Sequence, residues 1–318
     1  MYKKESFLIT GAAGFIGACL AHRLVQEGAK VSVIVKKDSN LWRLSAIKGQ
    51  LHIYRGDLTD KKFLRTAVHK IKPMVIYHLA THGAYSRQDD AEEIITTNIL
   101  GTWNLLNATT DIDYKVFVNT GSSSEYGFKS SPMRETDLLE PNSYYAVAKS
   151  AQTLLNSYYA RFKEKPNCTF RLFSVYGYFE EPSRLVPTLV NSCLKRRALN
   201  MVSPQTARDF IFIDDVIDAY LSLNKLSRLR GEILNIGTGR QVSLKKIVDE
   251  ALRLTKAKVA VHWGKMPERI WDTNIWVADT RKSQRILGWK AKTTLSEGLH
   301  KTIAWFQQEG SKYRKVYR

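Results

Sequence analysis

The sequence contains few cysteines, few prolines and no long hydrophobic run. Its 318 residues include 3 cysteines and 8 prolines. Cys19, Cys168 and Cys193 are too few and too widely spaced for a disulfide framework or an all-cysteine zinc site, so a reducing cytoplasm is the expected location. The histidines lack the spacing of metal ligands, and no apolar run approaches the roughly 18 residues that span a bilayer. We therefore expect a cytoplasmic protein without a signal peptide, a membrane span or a metal site.

Acidic residues are also scarce relative to basic ones. Lysine and arginine number 49 against 30 aspartates and glutamates, which gives a formal net charge of +19. Such an excess can serve nucleic-acid binding, because phosphate backbones favour clustered basic side chains. Here the basic residues are spread along the chain, with short clusters at 195–197 and 312–318, and no helix-turn-helix, RNA-recognition or zinc-finger pattern accompanies them. We expect no nucleic-acid partner and a basic surface that attracts small anions.

Short apolar segments alternate with helix-like segments through the first half of the chain. The β-type segments are 7–9, 31–35, 52–54, 74–79 and 116–118. Nearly continuous apolar strands separated by helices predict a parallel sheet covered on both faces, and therefore a doubly wound α/β fold. After about Tyr176 the pattern is less regular: we expect a helix at 186–199, strands at 210–213 and 232–236, and a β-like segment at 258–263.

A glycine-rich turn follows the first predicted strand directly. Residues 10–17 read TGAAGFIG, with Gly11, Gly14 and Gly17 three residues apart. Glycine permits the tight strand-to-helix turn, the approach of backbone N–H groups to a pyrophosphate and close helix–sheet packing. The helix N-terminus adds about half a positive charge directed at the phosphates. This turn, including Phe15 and Ile16, predicts a dinucleotide-binding Rossmann domain.

The glycine spacing resembles the fingerprint of the extended short-chain dehydrogenase/reductase family, in its sugar-nucleotide-modifying epimerase/dehydratase branch. Further segments in matching order extend the resemblance over nearly the whole chain. It implies an adenine contact at Asp57 and Leu58, and a cofactor path along Leu79, Ala80, Thr81 and Asn98. It also implies a homodimer, and a smaller C-terminal α/β substrate domain. We expect a Rossmann domain at 1–178 with 208–236 returning to it, and a substrate domain formed by 179–207 and 237–318.

The end of the second strand bears on the choice between NAD and NADP. A carboxylate there accepts hydrogen bonds from the ribose 2′-OH and repels a 2′-phosphate. In this sequence Val35 stands at that position and is followed by Lys36 and Lys37, which resembles NADP-binding members. We expect NADP as cofactor, with NAD as the alternative if a one-residue slip brings Asp38 to the ribose.

Tyr145 and Lys149 form the sharpest chemical signal in the sequence. Positions i and i+4 share one helix face, so the phenol and the ammonium can face one cleft. A nearby cation stabilises phenolate and lowers a pKa that is ordinarily about 10, which would let Tyr145 exchange a proton with a carbinol oxygen. The resemblance gives Lys149 a second role, in holding the nicotinamide ribose.

The third catalytic residue is expected in the stretch GSSSEYG at residues 121–127. The family's Ser/Thr position selects Ser122, whose hydroxyl would hydrogen-bond the substrate oxygen, and Ser123 is the alternative. Sugar 4,6-dehydratases of the family place acidic residues directly after the Ser/Thr. Here Ser123 and Ser124 stand there, with Glu125 one step later, so dehydration lacks its usual acid and base unless a shifted register restores Glu125. The stretch resembles reductases of 4-keto-6-deoxy sugar nucleotides.

Substrate contacts are expected on both sides of the catalytic helix. Residues 81–86 depart from the commoner family loop, and His82 and Tyr85 are expected to line the sugar pocket. The resemblance places Ser174, Arg184, Arg208 and Arg269 near the sugar nucleotide, and arginine can bind phosphate oxygens in a bidentate manner. Together these features predict an NADP(H)-dependent oxidoreductase of a nucleotide-diphosphate sugar, most simply a 4-ketoreductase, with epimerase and then dehydratase as alternatives. A catalytically silent cofactor sensor is disfavoured by the complete Ser/Tyr/Lys set.

Overall fold

The computed structural model describes residue 2 and residues 5–85, 88–222, 229–266 and 275–316. In chain order the strands are Ser6–Thr10 (β1), Lys30–Val35 (β2), Leu51–Arg55 (β3), Val75–His78 (β4), Val116–Ser122 (β5), Asn167–Leu172 (β6), Ser174–Tyr176 (β7), Leu199–Asn200 (β8), Ala207–Arg208 (β9), Phe210–Phe212 (β10), Ile233–Ile236 (β11), Val242–Ser243 (β12) and Val261–His262 (β13).

The helices are Phe15–Gln26 (α1), Lys61–Ile71 (α2), Ala91–Ile95 (α3), Gly101–Ala108 (α4), Tyr144–Phe162 (α5), Leu185–Lys195 (α6), Ile213–Leu221 (α7), Leu244–Thr255 (α8), Arg281–Leu287 (α9) and Leu295–Val316 (α10). A π-helical turn, Thr96–Leu100, joins α3 to α4, and 3₁₀ segments cover Trp42–Gln50 and Ser123–Tyr126.

The central sheet has seven strands in the order β11-β6-β5-β4-β1-β2-β3, and every pair is parallel. The order reverses between β1 and β4, which is the switch point where a doubly wound sheet opens a crevice at the carboxyl ends of its strands. This arrangement confirms the predicted Rossmann-type fold.

Alternating side chains of each central strand enter two separate cores. On β1, Phe7 and Ile9 pack with α1, whereas Leu8 packs with Leu64 of α2 and Leu105 of α4. Because successive side chains of a strand point to opposite faces, a fully apolar strand needs helices on both sides. The apolar segments of the sequence are therefore explained by the layers that cover them.

The C-terminal part of the chain forms small paired strands around α6, α8 and α10. β10 pairs with β7, β12 with β9 and β13 with β8, while β11 returns the chain to the edge of the central sheet beside β6. The helix expected over 186–199 ends four residues early, at Lys195, because Arg196 adopts a left-handed conformation with φ 51°. Leu199 then begins β8.

Candidate active site

A cleft of about 1390 Å³ opens above the carboxyl ends of β1, β4 and β5. It gathers most of the site residues expected from the sequence: Gly11, Gly14, Phe15, Ile16, Gly17, Lys36, Asp57, Leu58, Leu79, Ala80, Thr81, Tyr85, Ser122, Ser123, Tyr145, Lys149, Ser174, Arg184 and Arg208. Lys37, His82 and Asn98 are described by the structure but do not line this cleft. Arg269 lies outside the described residues.

The glycine-rich turn is packed so tightly that side chains are excluded from it. Gly11 has φ +73°, and a Cβ there would lie 2.5 Å from the backbone nitrogen of Ala80. A Cβ on Gly17 would lie 2.4 Å from the Gly11 carbonyl oxygen. Gly14 is the N-cap of α1, and no side chain of the described residues caps this helix start. The amides of the first turn therefore face the cleft as a phosphate-binding helix N-terminus does, which fits a dinucleotide.

The ribose end of the cleft carries a lysine between two carboxylates. The Lys36 Nζ lies 3.8 Å from Oδ2 of Asp57 and 3.5 Å from Oε1 of Glu93, and all three side chains are partly exposed. Within the described residues that follow β2, Lys36 lines the cleft whereas Lys37 and Asp38 do not. β2 ends at Val35, where the sequence analysis places the end of the second strand.

Asn98 and His82 hold a loop below the cleft wall. The Asn98 amide accepts a hydrogen bond from the His82 backbone N–H at 2.8 Å and donates one to the His82 carbonyl at 2.8 Å. The His82 ring lies 3.3 Å from Glu93. Because both ends of the Asn98 amide are engaged by backbone, this residue positions the loop after β4 instead of facing the cleft.

The proposed catalytic groups converge from β5 and the first turns of α5. Ser143 caps α5 by accepting a hydrogen bond from the Ala146 N–H at 3.2 Å, which fixes where Tyr145 emerges. The Lys149 Nζ donates to the Thr120 carbonyl at 2.9 Å and lies 5.9 Å from the centre of the Tyr145 ring. The predicted i, i+4 pairing is therefore present, and Lys149 is almost fully buried beneath the phenol.

The pKa of Tyr145 moves in the direction opposite to the one expected from its lysine neighbour. Burial raises the pKa of Tyr145 to about 12, and a hydrogen bond with Ser122 and the charge of Arg184 only partly oppose this. Burial also lowers the pKa of Lys149 to about 8, opposed by the charge of Glu125. Desolvation of the phenol outweighs the effect expected of the nearby cation, and the spacing of the two residues does not reveal it.

Glu125 does not line the cleft among the described residues, because it is fully buried in a hydrogen-bonded cluster under the serine loop. Its Oε1 accepts a hydrogen bond from the Ser122 N–H at 2.8 Å, and its Oε2 lies 2.7 Å from Nε of Arg171 on β6. The Ser122 side chain accepts from the Ser124 N–H at 3.1 Å, completing a capping box. In place of Glu125, Ser123 and Ser124 line the cleft in this loop.

Beside the glycine-rich turn the cleft contains three buried charged residues that the sequence analysis did not single out: Arg43, Glu180 and Glu181. Arg43 lies 3.7 Å from Glu181, and Arg184 lies 3.8 Å from Glu180. Burial raises the pKa of Glu180 to about 8, opposed by the charge of Arg184. Burial likewise raises the pKa of Tyr85. No motif marked Arg43, Glu180 or Glu181. The adjacent acids Glu180 and Glu181, close to Arg184 in an apolar stretch, could have indicated a site with perturbed pKa values.

Trp276 is a further residue that the sequence analysis missed. Its indole N–H donates to Oγ of Ser123 at 3.0 Å, and the guanidinium carbon of Arg208 lies 4.6 Å from the centre of its ring. Asp209 brings these segments together, because it accepts hydrogen bonds from the N–H groups of Thr238 and Ala278 at 2.8 and 3.1 Å. The sequence around Trp276 has no periodic pattern, so it could not indicate a contact with Ser123, which lies far away in the chain.

Three features define a Rossmann-type enzyme that uses a nicotinamide dinucleotide. They are the phosphate-binding turn, the cleft at the switch point of the sheet, and the Ser/Tyr/Lys set. The sequence model of the NAD-dependent epimerase/dehydratase family matches residues 7–237, so the chain belongs to that family of extended short-chain dehydrogenases/reductases. In the part of the chain that the structure describes, no helix is long and apolar enough to cross a membrane, and no group of three metal-ligating side chains occurs.

Several characterised proteins are similar to the chain over nearly its full length. A UDP-glucuronate 4-epimerase of Thermodesulfobacterium geofontis is 28% identical, covering 95% of this chain and 96% of the relative. The dTDP-D-glucose 4,6-dehydratase of Homo sapiens is 28% identical, covering 97% and 92%. The crystal structure of a Bacillus cereus UDP-glucuronic acid 4-epimerase with UDP-glucuronic acid and NAD superposes with a TM-score of 0.85 at 26% identity, covering 95% and 99%.

Proposed function

We propose that this enzyme is an NADP(H)-dependent oxidoreductase of nucleotide-diphosphate sugars that reduces a 4-keto group. The observation that carries the proposal is the convergence of Ser122, Tyr145 and Lys149 on one wall of a cleft whose other end is a phosphate-binding turn. The relatives named above act on UDP- and dTDP-linked sugars, which supports the substrate class. A bound nicotinamide dinucleotide supplies hydride transfer, and the protein supplies positioning and proton transfer.

In this proposal each catalytic side chain acts on a defined atom. The Ser122 hydroxyl donates a hydrogen bond to the sugar carbonyl oxygen, and Tyr145 gives that oxygen a proton as it becomes a hydroxyl. A phenol with a raised pKa is protonated at neutral pH, so it is already in the form that reduction needs. Lys149 lies beneath the phenol and holds the ribose side of the cofactor.

Dehydration is disfavoured by the position of Glu125. Both oxygens of this carboxylate are engaged, one by the Ser122 N–H and one by Arg171, and the side chain has no exposed surface. Ser123 and Ser124, which line the cleft, carry no carboxyl group to take up or deliver the protons of an elimination. Elimination of water would require Glu125 to leave a buried ion pair, which is costly.

A nucleotide-sugar 4-epimerase is the second candidate. The similarity to UDP-glucuronate 4-epimerases favours it, since epimerisation needs the same three side chains and a transient ketone. An epimerase returns its hydride to the sugar, so it consumes no cofactor, and its cofactor is then NAD or NADP retained through turnover. The two candidates therefore differ in net cofactor consumption.

We assign the sugar-nucleotide contacts to five residues that line the cleft. Arg208 serves the diphosphate, Arg184 the nucleotide, and Tyr85, Ser123 and Ser174 the sugar. Segments 179–207 and 237–318 form the substrate domain, and 1–178 with 208–236 form the cofactor domain. The return of β11 to the central sheet and the mutual packing of α6, α8 and α10 support this division.

Incubation of the purified enzyme with a panel of 4-keto-6-deoxy sugar nucleotides and of the parent sugar nucleotides tests the proposal. With NADPH, the keto substrates should yield alcohols at one equivalent of cofactor consumed. Interconversion of the parent sugars without net cofactor change would replace the reductase by the epimerase. A product that has lost water would overturn both.

Cofactor choice gives a separate prediction. Lys36→Ala should weaken NADPH binding several-fold, since an ion pair of this kind with the 2′-phosphate contributes about 1 kcal/mol. NADH affinity should stay nearly constant, because NADH has no phosphate at that position. Lys37→Ala is the matched comparison and should have a smaller effect, as Lys37 does not line the cleft within the described chain. Fluorescence titration at two ionic strengths measures all three, and tighter wild-type binding of NADH than NADPH would contradict the assignment.

We also propose that the enzyme is a homodimer formed through two neighbouring helices. α4 and α5 pack against each other, and their outer faces expose large apolar side chains. These are Leu100 and Trp103 beside α4, and Leu154, Tyr158 and Phe162 at four-residue spacing on α5, each between 37% and 72% exposed. A self-complementary apolar face of this kind suits a two-fold interface.

The charged double variant Leu154→Glu with Tyr158→Glu should convert the dimer to a monomer, because it places charges in an apolar interface. Light scattering coupled to size-exclusion chromatography measures the mass of each form. Leu138→Glu is the control, since Leu138 is 77% exposed and lies on neither helix. A monomeric wild type would contradict the proposal.

A further inference from the structure

A buried ion pair lies directly beneath the catalytic serine loop. Glu125 has no exposed surface and Arg171 is 2% exposed, and Oε2 of Glu125 lies 2.7 Å from Nε of Arg171. The guanidinium carbon lies 4.7 Å from the centre of the Tyr126 ring, and the Tyr126 hydroxyl donates to Asn235 on β11 at 2.7 Å. The loop is therefore anchored to β6 through the ion pair and to the neighbouring edge strand β11 through Tyr126.

Burial and the hydrogen-bond partners of Glu125 act on its pKa in opposite directions, and the pKa is raised overall. Burial raises the pKa of Glu125, and the charge of Arg171 and the hydrogen bond from the Ser122 N–H oppose that rise. Arg171 remains charged at any pH in which the protein folds. Both carboxyl oxygens accept hydrogen bonds, one from a guanidinium and one from a backbone N–H, which is the arrangement that a carboxylate requires.

The charge of Glu125 acts on both titratable catalytic groups. It raises the pKa of Lys149, opposing the larger effect of burial, and it adds to the raised pKa of Tyr145. In each case a negative charge in a desolvated region stabilises the protonated state. Three other titratable groups interact with these catalytic residues. His78 on β4 faces Lys149, and Tyr85 in the loop after β4 and Arg184 at the start of α6 face Tyr145.

We propose that Glu125 is a positioning residue for the reaction: its buried carboxylate, anchored by Arg171, fixes the backbone of Ser122 and acts on Lys149 and Tyr145 through its charge. The inference rests on the proposed roles of Ser122, Tyr145 and Lys149. It adds a fourth residue that never touches the substrate. It also explains why an acid stands one step beyond the position that a dehydratase would use: the carboxylate faces the core.

The sign of the expected pH effect follows from the charge. Without the carboxylate, Lys149 and Tyr145 both release their protons at lower pH. The pH at which activity changes therefore moves in the same direction for both groups, whether the reaction needs the protonated or the deprotonated form. The whole kcat/KM profile should move to lower pH, whereas a purely structural role would lower its height and leave its position unchanged.

The test is the pH profile of kcat/KM for Glu125→Gln against wild type. We expect a shift to lower pH of roughly 0.5–1 unit, at the low end of the effect of a nearby charge. Tyr126→Phe is the matched control: it removes the hydrogen bond to Asn235 and loosens the same loop, but it keeps the ion pair, so its profile should change in height only. Glu125→Asp, which keeps the charge, should also keep the wild-type position.

An unshifted profile for Glu125→Gln would overturn the inference. If that variant does not fold, the neutral pair Glu125→Met with Arg171→Met replaces it, since exchanging a buried ion pair for apolar residues of similar volume is often tolerated. A smaller shift in the same direction is expected there, because the opposing charge of Arg171 is lost together with that of Glu125. Full activity in Tyr145→Phe would instead overturn the proposed function itself. A water-eliminated product in wild type that disappears in Glu125→Gln would make Glu125 the catalytic acid and overturn both.

Discussion

Tyr145→Phe should lower turnover at least about 100-fold, the scale of positioned acid–base catalysis. The phenol is the proton donor of the proposed reaction, and removal of its oxygen leaves the carbinol oxygen without a proton source. The ring stays in place, so the wall of the cleft and the position of Lys149 are kept. Cofactor affinity should therefore stay close to that of wild type. Single-turnover kinetics with a sugar nucleotide separates the chemical step from binding.

Tyr158→Phe is the matched control for this variant. It removes a phenol oxygen from the same helix, α5, at a position that is 47% exposed and outside the cleft lining of the described chain. Its turnover should equal that of wild type. Near-normal turnover in Tyr145→Phe would remove Tyr145 from the mechanism and, with it, the role assigned to Lys149.

Arg208→Ala should weaken the binding of a nucleoside diphosphate by roughly 1.5–3 kcal/mol, the contribution of charged hydrogen bonds. This corresponds to about a 10- to 150-fold rise in Kd. The Arg208 guanidinium is oriented by its stacking on Trp276 and by a hydrogen bond to the Ala207 carbonyl at 2.7 Å, so little entropy is lost when it binds phosphate. Calorimetry with UDP and dTDP measures the effect, and NADPH affinity should remain nearly constant.

Arg240→Ala provides the control for general loss of positive charge. Arg240 is exposed on the loop that Asp209 anchors, and it lies outside the cleft lining of the described residues. A loss of diphosphate affinity that is equal in both variants would indicate screening of the whole basic surface instead of a specific contact. Unchanged affinity in Arg208→Ala would make that arginine structural. Arg269, expected from the sequence to share this role, stays a prediction.

The fold could be predicted from the sequence because its signals are local. Five strands of the central sheet are nearly continuous apolar runs, and Gly17 is required by contacts within the same turn. Gly11 has the positive φ that a tight turn after a strand needs. The i, i+4 spacing of Tyr145 and Lys149 is likewise a property of one helix. Such features depend on residues that are close in sequence, so they can be recognised without knowledge of the tertiary structure.

Features that depend on distant contacts could not be predicted. The amide of Asn98 is engaged by the backbone of His82, Trp276 reaches Ser123 from 153 positions away, and Glu125 is turned into the core by Arg171. The direction of the Tyr145 pKa also depends on burial, which no spacing reveals. Each of these differences arises from packing between separate elements.

Deuterium transfer from NADPH that carries deuterium at both C4 positions to a 4-keto sugar nucleotide tests the central claim most directly. Mass spectrometry of the isolated product measures its deuterium content, and absorbance of the same sample measures how much NADPH is oxidised. The account predicts an alcohol that carries one deuterium for each NADPH oxidised, and at least about 100-fold slower formation of that product by Tyr145→Phe. An alcohol without deuterium, or no oxidation of NADPH with any keto sugar nucleotide tested, would contradict it.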